Sequence, residues 1–183
     1  MDRLKRLEKK ICSQAEVISV QTAILSTLLL PAIFVHAQDL SQFDELNSYD
    51  NHAVTSQAGD NLNAIITQQG IFNRAAISQV GFSTQIDVNQ IGDSNRITAF
   101  QSGAEIEASI LQHGFNNFVV SSQQGSFLNL DIEQQGSDNL ATILQMGSES
   151  AITINQNGAG HRVSVIQYGQ GQSARVTQGL SPN

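Results

Sequence analysis

Residues 123–145 read QQGSFLNLDIEQQGSDNLATILQ, in which Gln-Gln-Gly recurs after eleven residues and a further Gln follows eleven residues on. Working outward from this stretch, the spacing holds in both directions. Gln stands at Gln57, Gln68, Gln79, Gln90, Gln101, Gln112, Gln123, Gln134, Gln145, Gln156, Gln167 and Gln178. Two positions after each comes a glycine: Gly59, Gly70, Gly81, Gly92, Gly103, Gly114, Gly125, Gly136, Gly147, Gly158 and Gly169, with Leu180 breaking the rule in the twelfth unit. Eleven units of the form Gln-x-Gly-x8 thus run from 57 to 177 without an insertion or deletion. Self-similarity at fixed period is the signature of a repeat architecture.

With the Gln counted as position one, positions eight and ten carry 21 apolar side chains out of 22, Ser121 being the exception. Positions seven, nine and eleven are mostly polar. Such period-two alternation predicts a half-buried strand. A helix is excluded, because a glycine in every unit would cost about 1 kcal/mol each. A slower rhythm lies over the first. Asn73, Asn95, Asn117 and Asn139 occupy position six in every second unit, whereas Thr84, Ile106, Leu128 and Ser150 occupy it in the units between. One coil is therefore 22 residues, two strands and two arcs, and the fold class expected is all-β: a two-sheet β-solenoid of cross-β type. The glycine at position three supplies the positive φ or close approach an arc needs.

Positions six, eight, ten and the next Gln share parity, so all four point into the coil. A buried amide is costly unless its donors and acceptor are satisfied. Stacking satisfies them, since each coil lies about 4.7–4.9 Å above the last and identical amides bond upward and downward, as in cross-β ladders. These Gln and Asn columns are the expected structural ladder. Neither end of the repeat run shows a capping segment. Two open ends with matching ladders form a device for polymerisation by strand addition, so the repeat alone predicts a fibre.

Composition narrows the remaining choices. The chain holds 9 Lys+Arg against 16 Asp+Glu, and five of the cations fall in the first ten residues. From residue 38 onward only Arg74, Arg96, Arg162 and Arg175 remain, against 13 acids. That balance excludes nucleic acid as a partner. The single cysteine, Cys12, excludes a disulfide framework. Residues 1–37 read as a secretory signal: a cationic start, an apolar run containing Pro31, and the small-residue site Val35-His36-Ala37 before a polar switch. An uncleaved membrane anchor is the rival reading of the same stretch. The organisation expected is a signal peptide at 1–37, a polar and acidic segment at 38–56 and the repeat solenoid at 57–183.

The outward residues bear on other functions. A β-helical lyase would need acids and a base on one face. Asp87, Asp131 and Glu133 are the candidates, but no base or metal cluster joins them, and they read as a solvated face that keeps fibres from adhering sideways. His36 lies in the leader, His52 in the acidic segment and His113 outward, while His161 replaces a ladder Asn. An ice-binding solenoid would want a uniform Thr column, and Thr98, Thr142 and Thr153 alternate with Ile65, Asp87, Val120, Asp131 and Arg175. Asp60, Asp93, Glu105, Asp138 and Glu149 are too sparse for calcium-binding repeats. No catalytic residue, cofactor, metal or small-molecule substrate is expected.

The units Gln68-Gln69-Gly70-Ile71-Phe72-Asn73-Arg74-Ala75 and Gln134-Gln135-Gly136-Ser137-Asp138-Asn139-Leu140-Ala141 resemble the curlin repeat, Ser-x5-Gln-x-Gly-x-x-Asn-x-Ala-x3-Gln, over residues 57–178. The leading Ser is kept only at Ser150, with Thr84 a near match. The resemblance implies a subunit of a bacterial extracellular amyloid fibre that supports adhesion and biofilm. Its partners would be other copies of itself, a major curlin subunit, and an outer-membrane secretion pore with its accessory factors, residues 38–56 lying where the family's targeting segment lies. Gln-x-Gly on every unit is similar to minor curlins, the surface-bound nucleators, and so is the end Ala174-Arg175-Val176-Thr177-Gln178. Arg162 and Arg175 are then the candidate anchoring residues.

Overall fold

The computed structural model describes residues 50–179. The signal peptide expected at 1–37, with Cys12 and His36, most of the 38–56 segment, and Leu180 lie outside the described residues. Nine strands follow one another: β1 His52–Asp60, β2 Asn63–Gln69, β3 Arg74–Phe82, β4 Gln85–Asp93, β5 Arg96–Phe115, β6 Phe118–Ser137, β7 Leu140–Ala159, β8 Arg162–Gln170 and β9 Ser173–Gln178. Every pairing is parallel and joins residue i to residue i+22: Gln79 lies on Gln101, Gln112 on Gln134, Gln156 on Gln178. The chain is a β-solenoid of six coils. The first strand starts at His52, so the solenoid takes in residues 52–56 of the segment expected to precede it.

Each coil contributes one strand to each of two facing sheets. Sheet A is β1, β3, the first halves of β5, β6 and β7, and β8. Sheet B is β2, β4, the second halves of β5, β6 and β7, and β9. The 20-residue length of β5, β6 and β7 arises because their strands continue through the arc from sheet A to sheet B. Between the sheets lies one apolar layer: Ala75, Ile77, Ile97 and Ile143 from sheet A meet Ile86, Val88, Leu130, Ile132 and Ile154 from sheet B. Small and large residues alternate, so two sheets close over a core only two side chains deep. Removal from water stabilises each of these larger aliphatic residues by about 1.5–3 kcal/mol.

The arcs have two special positions. At position three, Gly103 has φ of 141°, and a Cβ there would stand 1.8 Å from the carbonyl oxygen of Gly125 in the next coil. Only glycine lets the coils approach this closely. At position five the backbone is left-handed with ordinary side chains, for example Phe72 at 59°, Glu105 at 53° and Asn116 at 54°. This second positive-φ position carries no fixed residue type, so no sequence signal marks it.

The edge of the core along the A-to-B arcs is apolar at Ile106 and Leu128, both 1 % exposed or less, but Thr84 shares that column with its Oγ1 buried and unpartnered. An orphaned hydroxyl costs about 1–3 kcal/mol. Thr84→Val keeps the shape and removes the hydroxyl. It is expected to raise the denaturant midpoint of the solenoid, by about 1 kcal/mol in stability; a lowered midpoint would show that Thr84 has a partner in solution.

Candidate functional site: the amide ladders and the open coils

Two continuous columns of glutamine amides run the length of the solenoid. In sheet A the Nε2 of each Gln donates to the Oε1 of the Gln one coil on, from Gln57 through Gln79, Gln101, Gln123 and Gln145 to Gln167, at 2.6, 2.9, 3.1, 3.1 and 2.9 Å. In sheet B the column runs from Gln68 through Gln90, Gln112, Gln134 and Gln156 to Gln178, at 2.7–2.9 Å. The second hydrogen of the amide crosses the core to a backbone carbonyl of the other sheet: Gln79 to Asn63, Gln90 to Arg74, Gln112 to Arg96, at 3.1–3.3 Å. Because a carbonyl oxygen can only accept, this crossing bond fixes which way the amide faces in Gln68, Gln79, Gln90, Gln101, Gln112, Gln134, Gln156 and Gln178. Gln79, Gln90, Gln112, Gln123, Gln134, Gln145 and Gln156 are fully buried.

A third column lines the B-to-A arcs. Asn95 donates both its backbone N–H and its Nδ2 to Asn73 Oδ1, at 3.1 and 3.2 Å; Asn117 does the same to Asn95, and Asn139 to Asn117. Each Nδ2 also reaches a glycine carbonyl of the coil above, Asn95 to Gly114 at 3.0 Å and Asn117 to Gly136 at 2.9 Å. The Asn ladder therefore holds the arc glycines as well as the core. It starts one coil earlier than the repeat reading placed it, at Asn51, whose Oδ1 accepts the Asn73 N–H at 2.9 Å. The signal was its position, 22 residues before Asn73. At the other end His161 takes the Asn place, its N–H bonded to Asn139 Oδ1 at 3.0 Å.

The Gln and Asn columns point opposite ways. Along the ladders each glutamine donates to the Gln of the carboxy-terminal coil, whereas each asparagine donates to the Asn of the amino-terminal coil and spends its other amide hydrogen on a glycine carbonyl of the carboxy-terminal coil. The two ends of the stack consequently differ in chemistry. Among the described residues Gln57 and Gln68 offer unfilled Oε1 acceptors, whereas Gln167 and Gln178 offer Nε2 donors. Among the described residues β1 and β2 pair only with the coil above, and β8 and β9 only with the coil below. All nine residues of β1 are exposed.

The outward residues divide unequally. Arg74, Arg96 and Arg162 stand in one column of sheet A, with Phe118 and Leu140 between Arg96 and Arg162. Arg96 lies over the Phe118 ring, 5.8 Å from its centroid. Arg175 is on sheet B, above Thr153 and Asp131. The two candidate anchoring residues, Arg162 and Arg175, thus project from opposite faces and are not brought together. His52, from the acidic segment, heads the arginine column, and His113 faces outward on sheet B. Asp87 and Asp131 share a sheet B column two coils apart. Glu133 beside Asp131 accepts from Asn155 Nδ2 at 3.0 Å. Among the described residues no group of three His, Cys, Asp or Glu side chains is placed to hold a metal ion.

The family profile of the curlin associated repeat matches residues 103–136 and 128–158. No curated protein sequence matches the chain significantly. The matched stretches run from coil three into coil five, where both Gln ladders are fully enclosed and the Asn ladder is enclosed as far as Asn139. Residues 103–158 therefore carry curlin associated repeats, and the eleven-residue unit and i-to-i+22 register continue through the other described coils, which supports a structural subunit of a curli fibre.

Proposed function

We propose that the chain is the minor, surface-associated nucleator of an extracellular curli fibre, templating polymerisation of the major subunit and so supporting adhesion and biofilm. The observation that carries this is the pair of open end coils with complementary ladders. Donors of Gln167 and Gln178 on one copy match the acceptors of Gln57 and Gln68 on the next, in the 22-residue step the chain uses internally. Two like ends do not match, so growth is head to tail. Gln-x-Gly in every unit favours the nucleating subunit, because both sheets then present a complete amide column to an incoming chain. On this reading residues 1–37 direct export across the inner membrane, and residues 38–56 are recognised by the outer-membrane secretion pore and its accessory factors. The chain acts without catalysis or cofactor.

Seeding tests the proposal. Trace amounts of the assembled chain, added to a major curlin that is still monomeric, are expected to abolish the lag of dye-monitored fibre growth. A lag unchanged by seeding, with robust self-assembly of the chain alone, would make it the major fibre subunit instead.

A further inference from the structure

The last coil carries an amide where the coils below it carry none. Along the A-to-B arcs position six holds Leu62, Thr84, Ile106, Leu128 and Ser150, and then, in the last coil, Gln172. Inside the stack, the place where an arc glycine would bear its Cβ is filled by the glycine carbonyl of the coil above, Gly125 by Gly147 O and Gly147 by Gly169 O. Over Gly169 the Gln172 side chain lies there instead, its Nε2 3.1 Å from the Cβ place. Gln172 is exposed, and among the described residues no group accepts from its amide. Gly171 beside it bears no side chain, and nothing lies within 4 Å of where one would stand, so the approach to the amide is open.

The amino-terminal coil holds the counterpart. From Gly81 to Gly169 each arc glycine turns its carbonyl toward the coil before it. By the same geometry Gly59 and Gly70 turn theirs out of the described stack. Gly70 O is already taken, accepting from Asn51 Nδ2 at 2.9 Å. Among the described residues no side chain donates to Gly59 O. One arc carbonyl of the first coil is thus supplied by its own chain, and the other is not.

We infer that Gln172 donates its Nε2 to the Gly59 carbonyl of a second copy stacked on the last coil. The inference rests on the head-to-tail reading and adds the bond that closes the arc of that joint. The glutamine ladders set the register: with Gln57 of the second copy over Gln167, its Gly59 lies over Gly169, two residues on in both chains. Gly59 of the second copy then stands 22 places beyond Gly169 and 19 beyond Gln172. The chain already uses that step. In the B-to-A arcs a position-six amide reaches the glycine carbonyl 19 residues ahead, Asn95 to Gly114 at 3.0 Å and Asn117 to Gly136 at 2.9 Å. The A-to-B arcs within a copy do without it, since Ile106 and Leu128 carry no donor and Ser150 Oγ donates to Ser148 O. Gln172 therefore gains its partner only in the joint, which separates growth from folding of the copy itself.

Seeded fibres of the full chain, grown to equilibrium, supply the first measurement, the concentration of chain left in solution. Gln172→Ser places in the arc the residue that the coil below carries as Ser150. It is expected to raise that concentration about threefold to tenfold, one hydrogen bond being lost per joint. Gln172→Asn keeps a position-six amide, as Asn95 and Asn117 do, and is expected to stay within about twofold of wild type. The second measurement locates the bond. Copies with nitrogen-labelled glutamine side chains are assembled with copies carrying carbonyl-labelled glycine, and solid-state magnetic resonance reads nitrogen-to-carbon transfer between them. Transfer is expected in wild-type fibres and its loss with Gln172→Ser. The inference is overturned if Gln172→Ser leaves the soluble concentration at the wild-type value, if transfer survives it, or if Gln172→Asn is as impaired as Gln172→Ser. Loss of β structure with Gln172→Ser would make Gln172 part of the fold of one copy and overturns it also. If the wild-type chain forms no fibres, the head-to-tail reading falls and takes the inference with it. Fibres that grow equally well with serine remove the inference alone.

Discussion

Replacing Gly103 by alanine is expected to abolish the solenoid rather than weaken it. The new Cβ would stand 1.8 Å from the Gly125 carbonyl oxygen, which belongs to the backbone of the next coil and cannot rotate away, and φ at Gly103 is 141°. Relief requires separating coils three and four, which breaks the ladder and the strand pairing on both sides of the arc. The cost is expected to exceed about 5 kcal/mol, comparable with the whole stability of a typical domain. Circular dichroism and dye binding should show loss of β structure and of fibre growth. Gly160→Ala is the matched comparison. At that position φ is 71° and nothing lies within 4 Å of an added Cβ, so only the left-handed penalty of about 1–2 kcal/mol applies. If the two alanines behave alike, close packing of the arcs is not what requires glycine at position three.

Gln90→Leu and Gln134→Leu are expected to slow assembly strongly, and Asn89→Leu far less. Gln90 accepts from Gln68 at 2.7 Å, donates to Gln112 at 2.8 Å and crosses to Arg74 at 3.3 Å. Leucine fills a similar volume but leaves the neighbouring amides with an orphaned donor below and an orphaned acceptor above. Each such group costs about 1–3 kcal/mol when buried, giving roughly 3–5 kcal/mol per substitution. Gln134 sits in the same column with bonds of 2.9 and 2.8 Å to Gln112 and Gln156. Asn89 faces outward from sheet B, and its Oδ1 is without a hydrogen bond, so leucine there removes no ladder contact. Dye-monitored growth curves compare the three directly. Equal lag times would mean that the amide column contributes nothing beyond its volume.

The two-sheet solenoid was legible because several independent signals agree at every unit. The Gln-Gly spacing gives the period, the alternation at positions eight and ten gives the buried face, and the Asn at every second position six gives two strands per coil. What stayed hidden has physical reasons. The left-handed position five accepts Phe72, Ser83 and Glu105 alike, since its outward side chains form only isolated exposed pairs, Asn61 with Ser83 and Asn116 with Asp138, and no continuous column that would fix one residue type. The first five residues of β1, 52–56, carry no repeat signal because the strand's side chains are exposed at the end of the described stack, where no partner requires apolar residues; Asn51, 22 residues before Asn73, marks the spacing. The charge separation was present in the sequence but blurred by pooling all units. Arginines and acids share positions seven and nine and sort onto opposite faces only when alternate units are read apart. Arg162 and Arg175, close in sequence, fall on opposite sides for the same reason.

The invariant i-to-i+22 pairing also makes chain length a quantised property. Deleting or duplicating 22 residues within the repeat run returns every side chain to its own column, so such variants differ only in height by one coil. A change of eleven residues preserves the glycines and the glutamines yet exchanges the two sheets for everything that follows, carrying downstream arginines to the acidic side and placing apolar residues where the Asn column stood. Any other number breaks parity or arc alignment at once. Variation in length among functional descendants of this chain should therefore be confined to whole coils, much as bricks are added to a wall only by the course.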